Sequence, residues 1–216
     1  MDNVSIEKVD DVYIRVNADP GIKMEMSEYF TFEVPGAKFM PAVRNKVWDG
    51  KIRLLNTMTG MIYAGLIPYI LKFCNTREYH VTIDKGLVPN NVVNDDAGMQ
   101  LAKEFNSPFV PRDYQNEAVV HALRSERAML LSPTASGKSL IIYLAARWYI
   151  EQHSSLKILI VVPTVSLVEQ MYSDFEDYSS TDEHFHTDEY AMKIHGGTVK
   201  GERMGRIVIS TWQSIY

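Results

Sequence analysis

Apolar and polar positions change period along this chain, and the changes divide it into two parts of different character. Val4 to Val9 and Val12 to Val16 carry β-branched residues on either side of Asp10-Asp11, which predicts two strands and a turn. Pro20 to Phe30 sets Ile22, Met26, Tyr29 and Phe30 at helical spacing. Lys51 to Leu55 and Met61 to Ala64 flank the turn-forming stretch Asn56 to Gly60 and are expected to form a hairpin with a long loop. Pro68 suits the first turn of a helix running through Cys74, and Tyr79 to Ile83 reads as one more strand. Short mixed elements of this kind predict a small α+β domain over residues 1–85.

Turn residues then dominate: Gly86, Pro89, Asn90, Asn91, Asn94, Asp95 and Asp96 mark a linker, and with a short helix it occupies residues 86–107. Beyond it the period is helical from Arg112 to Leu123, from Leu140 to Ala146 and from Val165 to Tyr178. Ala128 to Leu131 and Leu156 to Val162 are instead continuously apolar, the pattern of strands covered on both faces. Ala191 to Ile194 and Arg206 to Ser210 add two more strands. Residues 108–216 therefore predict an α/β domain with a parallel sheet, still open where the sequence stops at Tyr216.

Between the expected strand at Ala128 to Leu131 and the following helix lies Ser132-Pro133-Thr134-Ala135-Ser136-Gly137-Lys138-Ser139. Strand, tight loop and helix start meet there, so backbone N–H groups and the helix dipole converge on one anion site, as in a phosphate-binding P-loop. Lys138 is placed to reach the β- and γ-phosphates of a nucleotide and Ser139 to offer its hydroxyl to Mg²⁺. Ser132 stands where the pattern usually opens with Gly, and is expected to tolerate the turn less easily.

Composition narrows the class without changing this picture. With 46% hydrophobic and 23% charged residues the chain is of ordinary globular type. A lone cysteine, Cys74, allows no intramolecular disulfide, and no apolar run approaches the roughly 18 residues of a membrane span, so a reducing cytoplasmic setting is expected. The net charge of −5 argues against indiscriminate nucleic-acid binding. Lys38 to Arg53 departs from that average: Lys38, Arg44, Lys46, Lys51 and Arg53 face only Asp49, with Phe39 and Trp48 among them. Cations neutralise phosphates and aromatic faces stack on bases, so Arg44, Lys46, Trp48, Lys51 and Arg53 are the candidate DNA contacts. A solvated basic edge with Trp48 turned into the core gives the same pattern.

The order of motifs is more specific than any one of them. Tyr114-Gln115, the P-loop, Pro163-Thr164 with Leu167 and Gln170, Gly196-Gly197, and Ser210-Thr211-Trp212-Gln213-Ser214 together resemble the first motor domain of superfamily 2 helicases. With Lys46 to Leu55 added, the chain resembles the branched-DNA helicases of T-even-type bacteriophages over nearly its whole length. The resemblance implies a RecA-like fold for residues 108–216 and ATP with Mg²⁺ as cofactors. Thr134, Ala135, Ser136, Gly137, Lys138 and Ser139 would surround the phosphates, with Lys138 as the catalytic cation, while Gln115, Arg112 and Tyr114 would frame the adenine. Pro163, Thr164, Gly196, Gly197 and Thr211 would lie along a DNA strand, with branched DNA or single-strand/duplex junctions as the partner. Ordinary loop and helix-cap chemistry accounts for the same threonines and glycines.

In such helicases the acidic Walker B motif and a second motor domain come after the last motif present here, so the chain is expected to be an N-terminal part that is inactive as a motor alone. Asp182-Glu183-His184-Phe185-His186 is no substitute, because no apolar strand leads into it; Asp174 to Glu189 is expected to be a solvated acidic loop. A non-catalytic nucleic-acid-binding module and a P-loop kinase share parts of the pattern, and the motifs after the P-loop weigh against the kinase.

Overall fold

The computed structural model describes residues 3–87, 92–125, 127–196 and 205–215. They belong to two compact units, residues 1–89 and residues 90–216.

In the first unit β1 (Asn3–Lys8) and β2 (Tyr13–Asn17) pair antiparallel across a turn closed by the Asp10 carboxylate, which accepts from the N–H groups of Val12 and Tyr13. Then come α1 (Pro20–Tyr29), β3 (Thr31–Glu33), α2 (Pro41–Arg44), β4 (Lys51–Arg53), β5 (Met61–Tyr63), α3 (Ile67–Thr76) and β6 (His80–Ile83). The main sheet runs β5-β2-β1-β6, antiparallel except for β1 with β6. Val4, Ile6, Ile14 and Val16 alternate inward and close against Ile22 and Met26 of α1 and Ile70, Phe73 and Cys74 of α3. Each such side chain taken from water stabilises the fold by about 1.5–3 kcal/mol.

The hairpin expected between Lys51–Leu55 and Met61–Ala64 is not formed. β4 pairs with β3 in a separate two-stranded ribbon, while β5 joins β2. Gly60 decides this: its φ is +72°, it accepts the Val16 N–H at 2.8 Å, and a Cβ there would sit 2.3 Å from the Val16 carbonyl oxygen. The loop is docked onto β2, so the chain leaves the ribbon and enters the sheet.

In the second unit α4 (Ala97–Glu104), within the stretch read as a linker, lies beside α5 (Asp113–Ser125) and lends Leu101 and Ala102 to the core. The rest is α6 (Lys138–Gln152), β7 (Ile158–Val162), α7 (Val165–Tyr178), α8 (Thr187–Tyr190), β8 (Ala191–Ile194), β9 (Ile207–Thr211) and α9 (Trp212–Ile215). The sheet is parallel, ordered β7-β9-β8, and β9 is buried along its whole length. No helix among the described residues is long and apolar enough to cross a membrane.

Two sequence expectations change here. Ala128 to Leu131 is not a strand: Met129 and Leu131 are 82% and 91% exposed, and among the described residues nothing pairs with the free edge of β7. An apolar run becomes a strand only where neighbouring backbone completes its ladder. The acidic segment is not wholly solvated either. Asp182 is buried against the Arg147 guanidinium of α6 at 2.7 Å, and that guanidinium lies between the rings of Phe185 and Phe105, 3.9 Å and 4.3 Å from their centroids. Burial pushes the Asp182 carboxyl up, but the Arg147 bond and the His184 N–H together hold it below the usual carboxylate range.

Candidate functional site

Helix α6 begins at Lys138 because Gly137, with φ +73°, turns the chain into its first turn. Ala135, two residues earlier, is also left-handed at φ +63°. Closely spaced left-handed residues of this kind build the backbone nests that hold anions. Ser132 is outside the left-handed set and joins hydroxyls with Ser136, so the absent first glycine leaves no strain at that position; the strain sits at Ala135. The Lys138 ammonium folds back to donate to the carbonyls of Ser132 (3.2 Å) and Pro133 (2.6 Å). Ser139 shares a 2.8 Å hydrogen bond with the Tyr178 hydroxyl at the end of α7; burial raises the pKa of that phenol, keeping it neutral.

Helix α5 is tied to the same loop. The Gln115 side-chain N–H donates to the Ser136 carbonyl at 3.0 Å, and its oxygen accepts the Arg112 N–H at 2.8 Å. Tyr114 donates its hydroxyl proton to the Ser136 carbonyl at 3.0 Å. The left-handed φ favours glycine at 137, and a Cβ there would lie 2.2 Å from the Gln115 amide nitrogen, so any larger residue would displace that amide from the Ser136 carbonyl. Beside the loop opens a cavity of about 710 Å³, with Ala118, Leu130 and Ile142 among its apolar lining and Tyr114, Thr134 and Lys138 among its polar one. Arg112, Tyr114 and Gln115 in one stretch of sequence and Thr134 to Ser139 in another thus share one neighbourhood.

The second predicted group collects at the carboxyl ends of the parallel strands, where open α/β sheets bind ligands. Pro163 and Thr164 follow β7, Gly196 follows β8, and Thr211 ends β9 opposite Val162. Thr164 caps α7 by accepting the Leu167 N–H at 3.3 Å, and Thr211 is buried with its hydroxyl on Ser214 at 3.0 Å. Gly197 lies outside the described residues. Sequence reasoning passed over Glu169, which bonds Lys193 at 2.6 Å and His195 at 2.8 Å beside this edge. The Lys193 bond, then the His195 bond, holds its carboxyl below the usual range. The spacing from Glu169 on a helix to Lys193 on β8 and His195 just after it leaves no signal in the linear pattern.

In the first unit the basic residues separate into two kinds. Arg53 pairs with Asp49 at 2.5 Å and Lys51 approaches Glu33 at 3.8 Å. Arg44, at the end of α2, and Lys46, left-handed at φ +57°, are exposed with no ion pair among the described residues. Trp48 is half-buried, and its ring N–H donates to the Lys51 carbonyl at 3.0 Å.

These features meet those of one group of proteins. Residues 3–84 match the family model described as "DNA helicase UvsW, N-terminal", and residues 108–216 match "Type III restriction enzyme, res subunit". The crystal structure of the UvsW helicase from bacteriophage T4 superposes with a TM-score of 0.85 at 32% identity, covering 100% of this chain and 76% of that one. The chain belongs to the UvsW helicase family. Another crystal structure of T4 UvsW gives a TM-score of 0.86 at 32% identity, with 44% of its chain covered. The ATP-dependent DNA helicase uvsW of Enterobacteria phage T4 is 34% identical over 211 residues. This chain spans 41% of that relative's length, and 94% of this chain is aligned to it. The fold read from sequence, a small α+β domain followed by a parallel-sheet P-loop domain, is the fold that UvsW relatives share.

Proposed function

We propose that this chain supplies the P-loop motor domain and an accessory DNA-binding domain of an ATP-dependent DNA helicase or translocase that remodels branched DNA in phage recombination, repair and replication-fork processing. The observation that carries it is the stitching of Gln115 and Tyr114 to the P-loop carbonyl of Ser136 beside a cavity of nucleotide size. One helix thereby couples a base-reading amide to the phosphate loop.

The residues present fit ATP with Mg²⁺: left-handed Ala135 and Gly137, a cation at the loop mouth and a hydroxyl one residue on. Lys138 would leave the Ser132 and Pro133 carbonyls for the β- and γ-phosphates, and Ser139 would turn its hydroxyl from Tyr178 to the ion. Gln115, Arg112 and Tyr114 would frame adenine. Mg²⁺, held there with the Ser139 hydroxyl, would supply positive charge that offsets the charge developing on the phosphates. Pro163, Thr164, Gly196, Gly197 and Thr211 would line the path of a DNA strand by sugar and phosphate contacts, with Arg44, Lys46, Lys51 and Arg53 as a second, basic surface. In this reading Trp48 holds that surface together. The compartment is the cytoplasm of the bacterial host.

A catalytic acid must reach the phosphates from a strand. An apolar groove of about 500 Å³ lies between Leu130 and the segment Ile158 to Ile160, floored by Ile142, Ala145 and Tyr149 of α6, and we read it as the seat of a further strand in the full-length protein. That protein is the one to test. Lys138→Ala should lower DNA-stimulated ATP hydrolysis by about 10²–10³-fold, the cost of removing one charge-stabilising donor. DNA binding without any ATP hydrolysis by the full-length wild type would favour a non-catalytic module instead.

A further inference from the structure

The segment from Gly36 to Gly50 folds into a bracket that leaves one aromatic ring standing in solvent. Val34 donates its N–H to Gly50 (2.9 Å), Ala37 donates to Val34 (3.0 Å), and Val47 and Trp48 both donate to Ala42 (2.9 and 3.2 Å). Gly36 and Gly50 are left-handed, and a Cβ on Gly50 would lie 3.0 Å from the Ala37 Cβ, so the bracket closes around buried Ala37. Phe39, two residues on, is 73% exposed; Val47 on the same bracket is 82% exposed. The Lys38 ammonium lies 5.1 Å from the centre of the Phe39 ring.

Charge says what such a ring faces. Lys38, Arg44 and Lys46 are exposed and have no ion pair among the described residues, whereas Lys51 and Arg53 are matched by Glu33 and Asp49. Unmatched cations beside an exposed aromatic face form the pairing that binds single-stranded nucleic acid, with phosphates on the cations and a base on the ring. Trp48, the other aromatic here, is half-buried and tethered through its ring N–H to Lys51, which leaves Phe39.

We propose that Phe39 is the base-stacking residue of the accessory domain, and that it takes an unpaired base at a DNA branch point while Lys38, Arg44 and Lys46 hold the flanking phosphates. The proposal rests on the reading of this segment as a DNA surface. It specifies the substrate as DNA with exposed bases, not continuous duplex. Lys38 on one face of the ring fixes its orientation and leaves the other face to the base.

The test uses the 216-residue chain with a forked DNA, carrying 2-aminopurine at the first unpaired position, and a blunt duplex of the same length. Phe39→Ala should weaken fork binding about 5- to 150-fold and abolish the 2-aminopurine response, with duplex affinity and thermal stability unchanged. Phe39→Trp should keep the fork affinity, with its own emission quenched by the fork. Arg44→Ala with Lys46→Ala should weaken both DNAs. Equal loss on fork and duplex, or no loss, in Phe39→Ala overturns the stacking role. If the Arg44/Lys46 variant still loses affinity, the DNA surface stands and only Phe39's part falls; if wild type binds neither DNA at low salt, both fall. A wild-type dimer that Phe39→Ala converts to monomer would assign the ring to self-association and also overturn the proposal.

Discussion

The P-loop neighbourhood and the basic bracket both carry candidate binding groups, and they keep them in opposite ways. Around the P-loop each group already has a protein partner: Lys138 holds two carbonyls, Gln115 spans Arg112 and Ser136, and Ser139 holds Tyr178. A ligand there exchanges one set of hydrogen bonds for another, so selectivity comes from the cost of leaving a buried polar group unmatched. On the bracket, Lys38, Arg44 and Lys46 stand in water, and binding would draw on counterion release, which salt erodes. In the proposed reading the first site discriminates and the second attracts.

The comparison breaks most visibly beneath the P-loop helix. Asp182→Ala leaves the buried Arg147 guanidinium with only the half-exposed Glu151 carboxylate, at 3.4 Å, as an ionic partner among the described residues, and should cost about 3 kcal/mol in urea denaturation at neutral pH. The Asp182 carboxyl is held low in the folded state, so its contribution is full above the unfolded value of about 3.9 and is lost as pH falls through the folded one. The gap between wild type and variant should therefore narrow on acidification below about pH 4. An unchanged gap would show that the carboxylate's charge is not what stabilises.

A smaller effect is expected at the loop itself. Gly137→Ala forces a side chain into a left-handed conformation and against the Gln115 amide, and should destabilise by about 1–3 kcal/mol while weakening binding of a fluorescent ATP analogue. Arg44→Ala with Lys46→Ala should make the slope of log affinity against log salt shallower by about 2, one for each phosphate contact. Lys51→Ala with Arg53→Ala should change it less, since these two are matched by carboxylates. Equal effects from the two pairs would erase the division between matched and unmatched cations. The smallest change is Tyr178→Phe, which frees the Ser139 hydroxyl and should tighten Mg²⁺-nucleotide binding about 2- to 10-fold, read by titration with and without Mg²⁺.

The proposed phosphate loop could be read from sequence because its chemistry is local. Eight consecutive residues and a helical period contain most of what such a site needs, and the motif order carried the family. Asp182 was misread because composition weighs a residue by its neighbours in sequence, and its partner, Arg147, lies 35 positions away on another helix. Glu169 and its contacts with Lys193 and His195 were missed for the same reason. Trp48 and Phe39 look alike in the linear pattern; only the bracket's closure decides which ring is held and which is left in solvent.

By itself the sequence determined most helices and strands and the fold class, since period, capping and glycine placement act over a few positions, and it proposed the residues of a phosphate loop. Tertiary structure alone decided strand partners, as with β4 and β5, and whether an apolar run such as Ala128 to Leu131 becomes a strand at all. It also decided which charges are matched. Ladder hydrogen bonds and ion pairs are made between groups distant along the chain, and their existence depends on what else stands beside them.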